Sequence, residues 1–120
     1  MKSKYGIPKN ELDSLIENHK NCAYCSKIMI FPYDINNRKE SATIEHLNWE
    51  GPFYWSDNLS IKDIVIACHS CNSSRGVKDL KNWFKSNYCI EKNINIDTVH
   101  KRVRDYINRK YDSGIYIKNF

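Results

Sequence analysis

The chain has 120 residues, the size of one ordinary domain, and carries a formal net charge of +5. Charged residues make up 28% and hydrophobic residues 41% of it, which excludes a disordered chain. No apolar run approaches the roughly 20 residues of a membrane span, and the basic residues at positions 1–6 lack the apolar stretch of a secretory signal. We therefore expect a cytoplasmic protein with no membrane partner. The positive charge permits a polyanionic partner without requiring one.

The first predicted helix covers residues 8–20, because Leu12, Leu15 and Ile16 share one helical face and acidic residues occupy the other. A Cys-x-x-Cys turn follows it at residues 22–25. Short apolar and polar segments then lead towards the first strand.

Two strands are predicted in the middle of the chain. The first covers residues 42–47, and a loop rich in aromatic residues follows it. The second covers residues 61–67, which are mostly apolar and β-branched, although Ser56-Asp57 could instead cap a short helix. A second Cys-x-x-Cys turn comes directly after it, at residues 68–71. The two cysteine turns therefore bracket both predicted strands.

Two further helices are predicted after the second cysteine turn. One runs from residue 72 towards residue 88, although Gly76 weakens its first turns. Its apolar stripe consists of Val77, Leu80, Trp83 and Phe84. The other covers residues 97–111 and is basic outside its apolar face, which consists of Val99, Val103, Tyr106 and Ile107. We predict a single domain over residues 1–120, with a core at about 21–88 and a basic helical extension at 97–120.

Four of the five cysteines form two Cys-x-x-Cys pairs, Cys22/Cys25 and Cys68/Cys71, and an odd total argues against a disulfide framework. Each pair places two thiolates on one side of a turn, and two pairs complete the tetrahedral sulfur shell of a structural zinc. We predict that Zn²⁺ joins the end of the first helix to the start of the second. The alternatives are His69 in place of one thiolate, and reduced cysteines packed as small apolar groups.

Polar residues around the second cysteine pair complete a recognisable pattern. Glu45-His46 ends the first predicted strand, Asn72 follows Cys71 directly, and Arg75-Gly76 comes three residues later. In this order, and with both cysteine pairs, residues 21 to about 84 resemble the zinc-stapled branch of the HNH endonuclease family. The resemblance implies an α+β fold, with a small zinc-stapled ββα-metal core similar to a treble clef and flanking N- and C-terminal helices.

The resemblance also implies a role for each of these residues. His46 stands in the place of the general base, and an imidazole with a pKa of about 6.5 can accept a proton near neutral pH. Glu45 and Asn72 stand in the place of the residues that hold a divalent ion, and their hard oxygen atoms suit Mg²⁺ or Mn²⁺. The residue that orients His46 is Asp63 by register, or Asn58 in an earlier Asn-Leu pair; both assignments stay open.

The predicted function is a metal-dependent endonuclease that hydrolyses DNA phosphodiester bonds. The expected DNA contacts are cations near the second cysteine pair and in the tail helix, with a plain solvated surface as the alternative. These cations are Arg75, Lys78, Lys101, Arg102 and Arg104. So small a domain would cut both strands as a homodimer or by two successive nicks. Two other functions stay open: a non-catalytic treble-clef zinc module that binds nucleic acid or protein, and a nuclease that cuts RNA.

Overall fold

The computed structural model describes residues 8–48 and 61–112, and side chains as far as residue 110. It combines helices with one two-stranded antiparallel sheet, which confirms the predicted α+β class. In chain order they are α1 (Lys9–Asn18), a first 3₁₀ helix (Ile35–Glu40), β1 (Ala42–His46), a second 3₁₀ helix (Ile61–Asp63), β2 (Ile64–Cys68), α2 (His69–Arg75), α3 (Leu80–Trp83), α4 (Asn87–Lys92) and α5 (Lys101–Asp112). Within these two ranges no helix has the length and apolar character needed to cross a bilayer.

The two strands form an antiparallel sheet in which Ala42 pairs with Cys68 and His46 pairs with Ile64. Both predicted strands are therefore confirmed, although residues 61–63 form a 3₁₀ turn before β2 begins. Every residue of β2 is buried, because α1 and α2 both pack against this strand. The antiparallel pairing places the second cysteine turn at one end of the sheet and His46 at the other.

The single helix predicted from residue 72 towards residue 88 is wrong, because α2, α3 and α4 occupy this region as three short helices. Gly76 ends α2 with a backbone φ of 53°, a conformation that residues with a Cβ rarely adopt. Asp79 then caps α3 and Ser86 caps α4, each through a side-chain oxygen that accepts a backbone N–H. Val77 consequently lies outside any helix and is exposed.

The tail helix starts later than predicted, at Lys101, because His100 caps it: the His100 Nδ1 accepts the Arg102 backbone N–H at 3.0 Å. The predicted apolar faces of α1 and α5 pack into the core: Leu12, Leu15, Val103, Tyr106 and Ile107 are buried. Ile16 is half-buried against the core, and Val99 is buried just before α5 begins. Helix α5 packs against the second 3₁₀ helix, which places its basic residues beside the His46 end of the sheet.

Candidate metal centre and active site

Four thiols meet where the two Cys-x-x-Cys turns face each other. The sulfur atoms of Cys22, Cys25, Cys68 and Cys71 all lie within 4.8 Å of one another, and Cys25 and Cys68 are 3.9 Å apart. None of the five cysteines, all of which the structure describes, forms a disulfide. Sulfur atoms placed tetrahedrally about 2.3 Å from one ion lie about 3.8 Å from each other. The cluster therefore has the size of a site that can hold a metal ion such as zinc.

Local backbone geometry aims each pair of thiols. In the first turn the Cys22 N–H donates to the Lys27 carbonyl, and the Ser26 N–H donates to the Cys22 carbonyl. Ser26 has a φ of 67°, so the chain reverses sharply after the second thiol of this pair. In the second turn Cys68 ends β2 and Cys71 lies in the first turn of α2. The strand-to-helix junction therefore directs both of these thiols towards the first turn.

Hydrogen bonds to sulfur favour the thiolate forms that a metal needs. The Tyr24 N–H donates to the Cys22 sulfur at 3.4 Å, and the Tyr88 hydroxyl donates to the Cys71 sulfur at 3.3 Å. Within the cluster, hydrogen bonds with the Cys22 thiol lower the pKa of Cys25 and lower that of Cys68 to about 7. Hydrogen bonds among the same thiols raise the pKa of Cys22 and of Cys71. Negative charge is therefore stabilised on two of the four sulfurs, and a bound ion would displace the protons of the other two.

His69 lies inside the second turn but takes no part in the cluster. Its Nε2 is 3.1 Å from the Ser73 hydroxyl one helical turn later. The four atoms that converge are all sulfur, so the arrangement favours the all-cysteine shell over the alternative that replaced one thiolate with His69.

Glu45, the predicted acidic ion ligand, is only 3% exposed. Its Oε2 accepts a 2.6 Å hydrogen bond from the Tyr24 hydroxyl and lies 3.5 Å from Nη1 of Arg75. Burial raises the pKa of Glu45 to about 7, against the opposing effects of the Arg75 charge and the Tyr24 hydrogen bond. The carboxyl group therefore belongs to a buried network that begins inside the first cysteine turn.

Arg75 is completely buried, and its guanidinium binds backbone as well as Glu45. It donates to the carbonyls of His46 at 3.1 Å and Leu47 at 2.9 Å, and its Nε donates to the Lys78 carbonyl at 2.7 Å. This corrects the expectation that Arg75 contacts DNA, because the side chain has no surface to offer a phosphate. Its place in the fold is instead to hold the end of β1.

Asn72 lies inside α2 and faces β1. Its amide nitrogen donates to the Thr43 hydroxyl at 2.9 Å and to the Ile44 carbonyl at 3.1 Å. The N-cap of α2 is Cys68, so Asn72 does not cap this helix. Because the nitrogen is bound to the strand, the amide oxygen is the atom that could meet an ion.

Alternation along β1 decides which predicted residues share a face. Thr43 and Glu45 point to the same side of the strand, where Asn72 also binds, whereas His46 points to the opposite side. His46 is the last residue of β1 and is 4% exposed. The structure thus brings Glu45 and Asn72 to one face of β1, whereas the His46 side chain points to the other face at the end of the strand.

Asp63 touches the same strand end through its backbone. Its carbonyl accepts the Leu47 N–H at 2.8 Å, while its carboxylate lies 3.6 Å from the Arg109 guanidinium. Asn58, the other residue proposed to orient His46, lies outside the described residues. Asp63 therefore fastens the hairpin end, and its side chain pairs with α5.

The other predicted DNA contacts lie at or near the surface. Lys78 and Lys101 are exposed; Lys101 forms an ion pair with Asp105 at 2.8 Å. Arg102 and Arg104 are half-buried, and both donate to backbone carbonyls. These four side chains therefore differ in how much of their charge reaches solvent.

Comparisons of the chain with protein-family models, with curated proteins and with solved structures gave no match.

Proposed function

We propose that this chain is a zinc-stapled, HNH-type endonuclease that hydrolyses DNA phosphodiester bonds with the help of a second divalent ion. The observation that carries the proposal is the tie between α2 and β1 through the Asn72 amide, which binds Thr43 and Ile44. The tie fastens Asn72 to the residue before Glu45-His46, within a strand–strand–helix unit whose β2–α2 junction carries Cys68 and Cys71. The resemblance implies that these polar residues act together.

The four thiols suit Zn²⁺ in a structural role. A shell of four sulfurs is closed, so the ion would hold the two turns together and would have no position for a substrate. This clamp fixes Cys68 and Cys71 at the junction of β2 and α2, and therefore fixes how α2 lies across β1. Zinc would stabilise the unit that carries the proposed reactive residues.

Glu45 and Asn72 fit a hard divalent ion by the chemistry of their donor atoms. The Asn72 nitrogen and the Glu45 Oε2 are engaged with protein groups, so the Asn72 amide oxygen and the Glu45 Oε1 would be the ligands. Mg²⁺ or Mn²⁺ bound there would supply a Lewis acid for the scissile phosphate. A carboxyl group with a pKa of about 7 is only partly ionised at neutral pH, and a nearby cation favours its ionised form.

The proposed role of His46 is to take the proton of the attacking water at an imidazole nitrogen. Arg75 supports this role, because its guanidinium binds the carbonyls of His46 and Leu47 and restrains the backbone on which the imidazole is carried. Asp63 restrains the same strand end by accepting the Leu47 N–H. The base would therefore be held by main-chain contacts on both sides of the hairpin.

The burial of Glu45 and the direction of the His46 side chain favour a second function. A carboxylate that is 3% exposed and bound to Arg75 and Tyr24 acts well as a structural group and has little access to an ion. Strand alternation also places His46 on the other face. Both features suit a non-catalytic treble-clef zinc module that binds nucleic acid or protein.

A plasmid-nicking assay separates the two functions. The zinc-loaded chain would be incubated with supercoiled DNA in Mg²⁺, in Mn²⁺ and without added ion, beside the His46→Ala variant and a matched histidine control, His69→Asn. We expect nicking that needs the added ion, that falls at least about 100-fold in His46→Ala and that persists in His69→Asn. Unchanged nicking by His46→Ala would remove the proposed base. Absence of nicking by folded, zinc-loaded protein would favour the binding module.

A further inference from the structure

Arg102 on α5 is a half-buried cation held in a fixed position by main-chain carbonyls. Its Nη2 donates to the carbonyls of Ile64, at 3.0 Å, and Ile61, and its Nε lies 3.3 Å from the Ile64 carbonyl. Among the residues that the structure describes, Arg102 forms no ion pair and its Nη1 has no hydrogen-bond acceptor. The carbonyls therefore hold the side chain in place, but within the described residues neither its positive charge nor its Nη1 donor group is paired.

Two cavities border the Arg102 side chain. The larger, of about 450 Å³, lies against α1 and is lined by the hydrogen-bonding side chains Asn10, Ser14, Asn18 and His19 as well as by the carboxylate of Glu11. The smaller, of about 220 Å³, is lined by Lys62, Asp105 and Arg109. Arg102 lines both. We call Lys62, Arg102, Arg109 and His19 the Arg102 surface.

Among the described residues, positive charge exceeds negative charge on and beside the Arg102 surface. Three acids lie close to it: Asp105 is paired with Lys101 at 2.8 Å, Asp63 is shared with Arg109 at 3.6 Å, and Glu11 lines the larger cavity. The Arg109 side chain stays 42% exposed despite this contact. Burial, followed by the charges of His100 and Arg102, lowers the pKa of His19. The Arg102 charge therefore acts on His19, although burial is the larger cause of the shift in its pKa.

We propose that the Arg102 surface is a phosphate-binding site for the phosphodiester backbone of a nucleic acid, adjacent to the proposed reactive residues. The inference rests on the proposed function for the identity of the polymer. Its position follows from the sheet, because Ile64, whose carbonyl holds Arg102, is the cross-strand partner of His46. The unpaired Nη1 donor of the guanidinium can bind a phosphate oxygen. Phosphate contacts fix the position of a nucleic-acid strand on the protein without reading its base sequence.

Fluorescence anisotropy with labelled duplexes tests this surface. DNA and RNA duplexes of one sequence would be titrated with the full zinc-loaded chain, without added divalent ion, over a range of salt concentrations. The variants are Lys62→Gln and Arg109→Gln, which remove exposed charges and leave the carbonyl-bound Arg102 in place. Lys39→Gln is the control: it removes the same charge from the first 3₁₀ helix, which packs against α2 instead of α5.

We expect each of the two variants to bind several-fold more weakly, and its plot of log K against log salt to be less steep by about 1. Lys39→Gln should bind as the parent does. The proposed phosphate site would be wrong if both variants bound the duplex with the affinity and salt slope of the parent. It would also be wrong if Lys39→Gln lost as much affinity as they do. If the two variants weaken binding as expected but the parent does not nick plasmid, phosphate binding at the Arg102 surface is supported and the nuclease proposal is wrong. If the parent nicks plasmid but both variants bind the duplex as the parent does, the nuclease proposal is supported and phosphate binding at the Arg102 surface is wrong.

Discussion

The hydroxyl of Tyr24 donates a 2.6 Å hydrogen bond to Glu45, although 21 residues separate them in the sequence. Tyr24 lies between the two thiols of the first cysteine turn, and its ring also packs edge-to-face against Trp83, with 4.8 Å between the ring centroids. The same side chain thus touches the metal-binding turn, the core and the proposed ion-binding carboxylate. Binding of metal at the four thiols is therefore expected to influence how firmly Glu45 is held.

Replacing Tyr24 with Phe should lower the free energy of unfolding by about 1.5–3 kcal/mol, the range for a hydrogen bond to a charged group. The physical reason is that a buried carboxyl group loses a donor while the aromatic packing is kept. Urea denaturation of the zinc-loaded protein measures the change. Tyr33→Phe is the control, because Tyr33 is 44% exposed and should alter stability little. Equal effects of the two substitutions would contradict the account of Glu45.

Replacing Arg75 with Lys should destabilise the fold by about 2–3 kcal/mol even though the positive charge is kept. An ammonium group cannot reproduce a planar fork that binds the Lys78, His46 and Leu47 carbonyls together, so buried acceptors lose their donors. Chemical unfolding gives the stability, and plasmid nicking by the folded fraction gives the effect on His46. A stable Arg75→Lys variant with parental nicking would show that the fork does not hold the strand end.

Acid should weaken the fold partly through His100. Burial, followed by the charges of Arg102 and Arg104, lowers the pKa of His100 below 6.5, so the unfolded chain binds this proton more readily than the folded chain. Stability from this group is therefore fully present above pH 6.5 and is lost as the pH falls. Protonation would also end the acceptor role of Nδ1 at the start of α5.

The matched variant for this effect is His100→Asn, since asparagine also caps helices but does not titrate. Urea midpoints at pH 7.5 and 5.5, with zinc content checked at both, should differ less in the variant than in the parent. Release of zinc by acid affects both proteins alike, so the comparison isolates His100. An identical drop in both proteins would show that this imidazole makes no contribution.

Loss of the metal should unfold the domain. Structural zinc sites supply about 10–16 kcal/mol of apparent binding free energy, more than the total stability of most small domains. Cys71→Ser should therefore lower the zinc content from one ion per chain and reduce the helical signal in far-ultraviolet circular dichroism. Cys89→Ala is the control, because Cys89 is buried outside the cluster and should leave the zinc content unchanged. Full zinc loading of Cys71→Ser would contradict the four-thiol shell.

Features that depend on neighbouring residues were predictable from the sequence alone. The spacing of the two cysteine pairs predicted a four-thiol cluster, and the apolar stripes of α1 and α5 predicted faces that the structure buries. Both strands were also predictable, because β-strand propensity and turn signals are local. The continuation of a helix past Gly76 was not, since whether glycine bends a helix or ends it depends on what the following residues pack against.

Only the tertiary structure decided the partners of the charged groups. From the sequence we expected Arg75 at the surface, in contact with DNA. It is buried instead, because Glu45, 30 positions earlier, and the end of β1 provide hydrogen-bond acceptors for it. Arg102 is likewise anchored by carbonyls about 40 residues away from it. A charge is buried or exposed according to whether distant acceptors surround it, and that is settled when the chain folds, not by its local sequence.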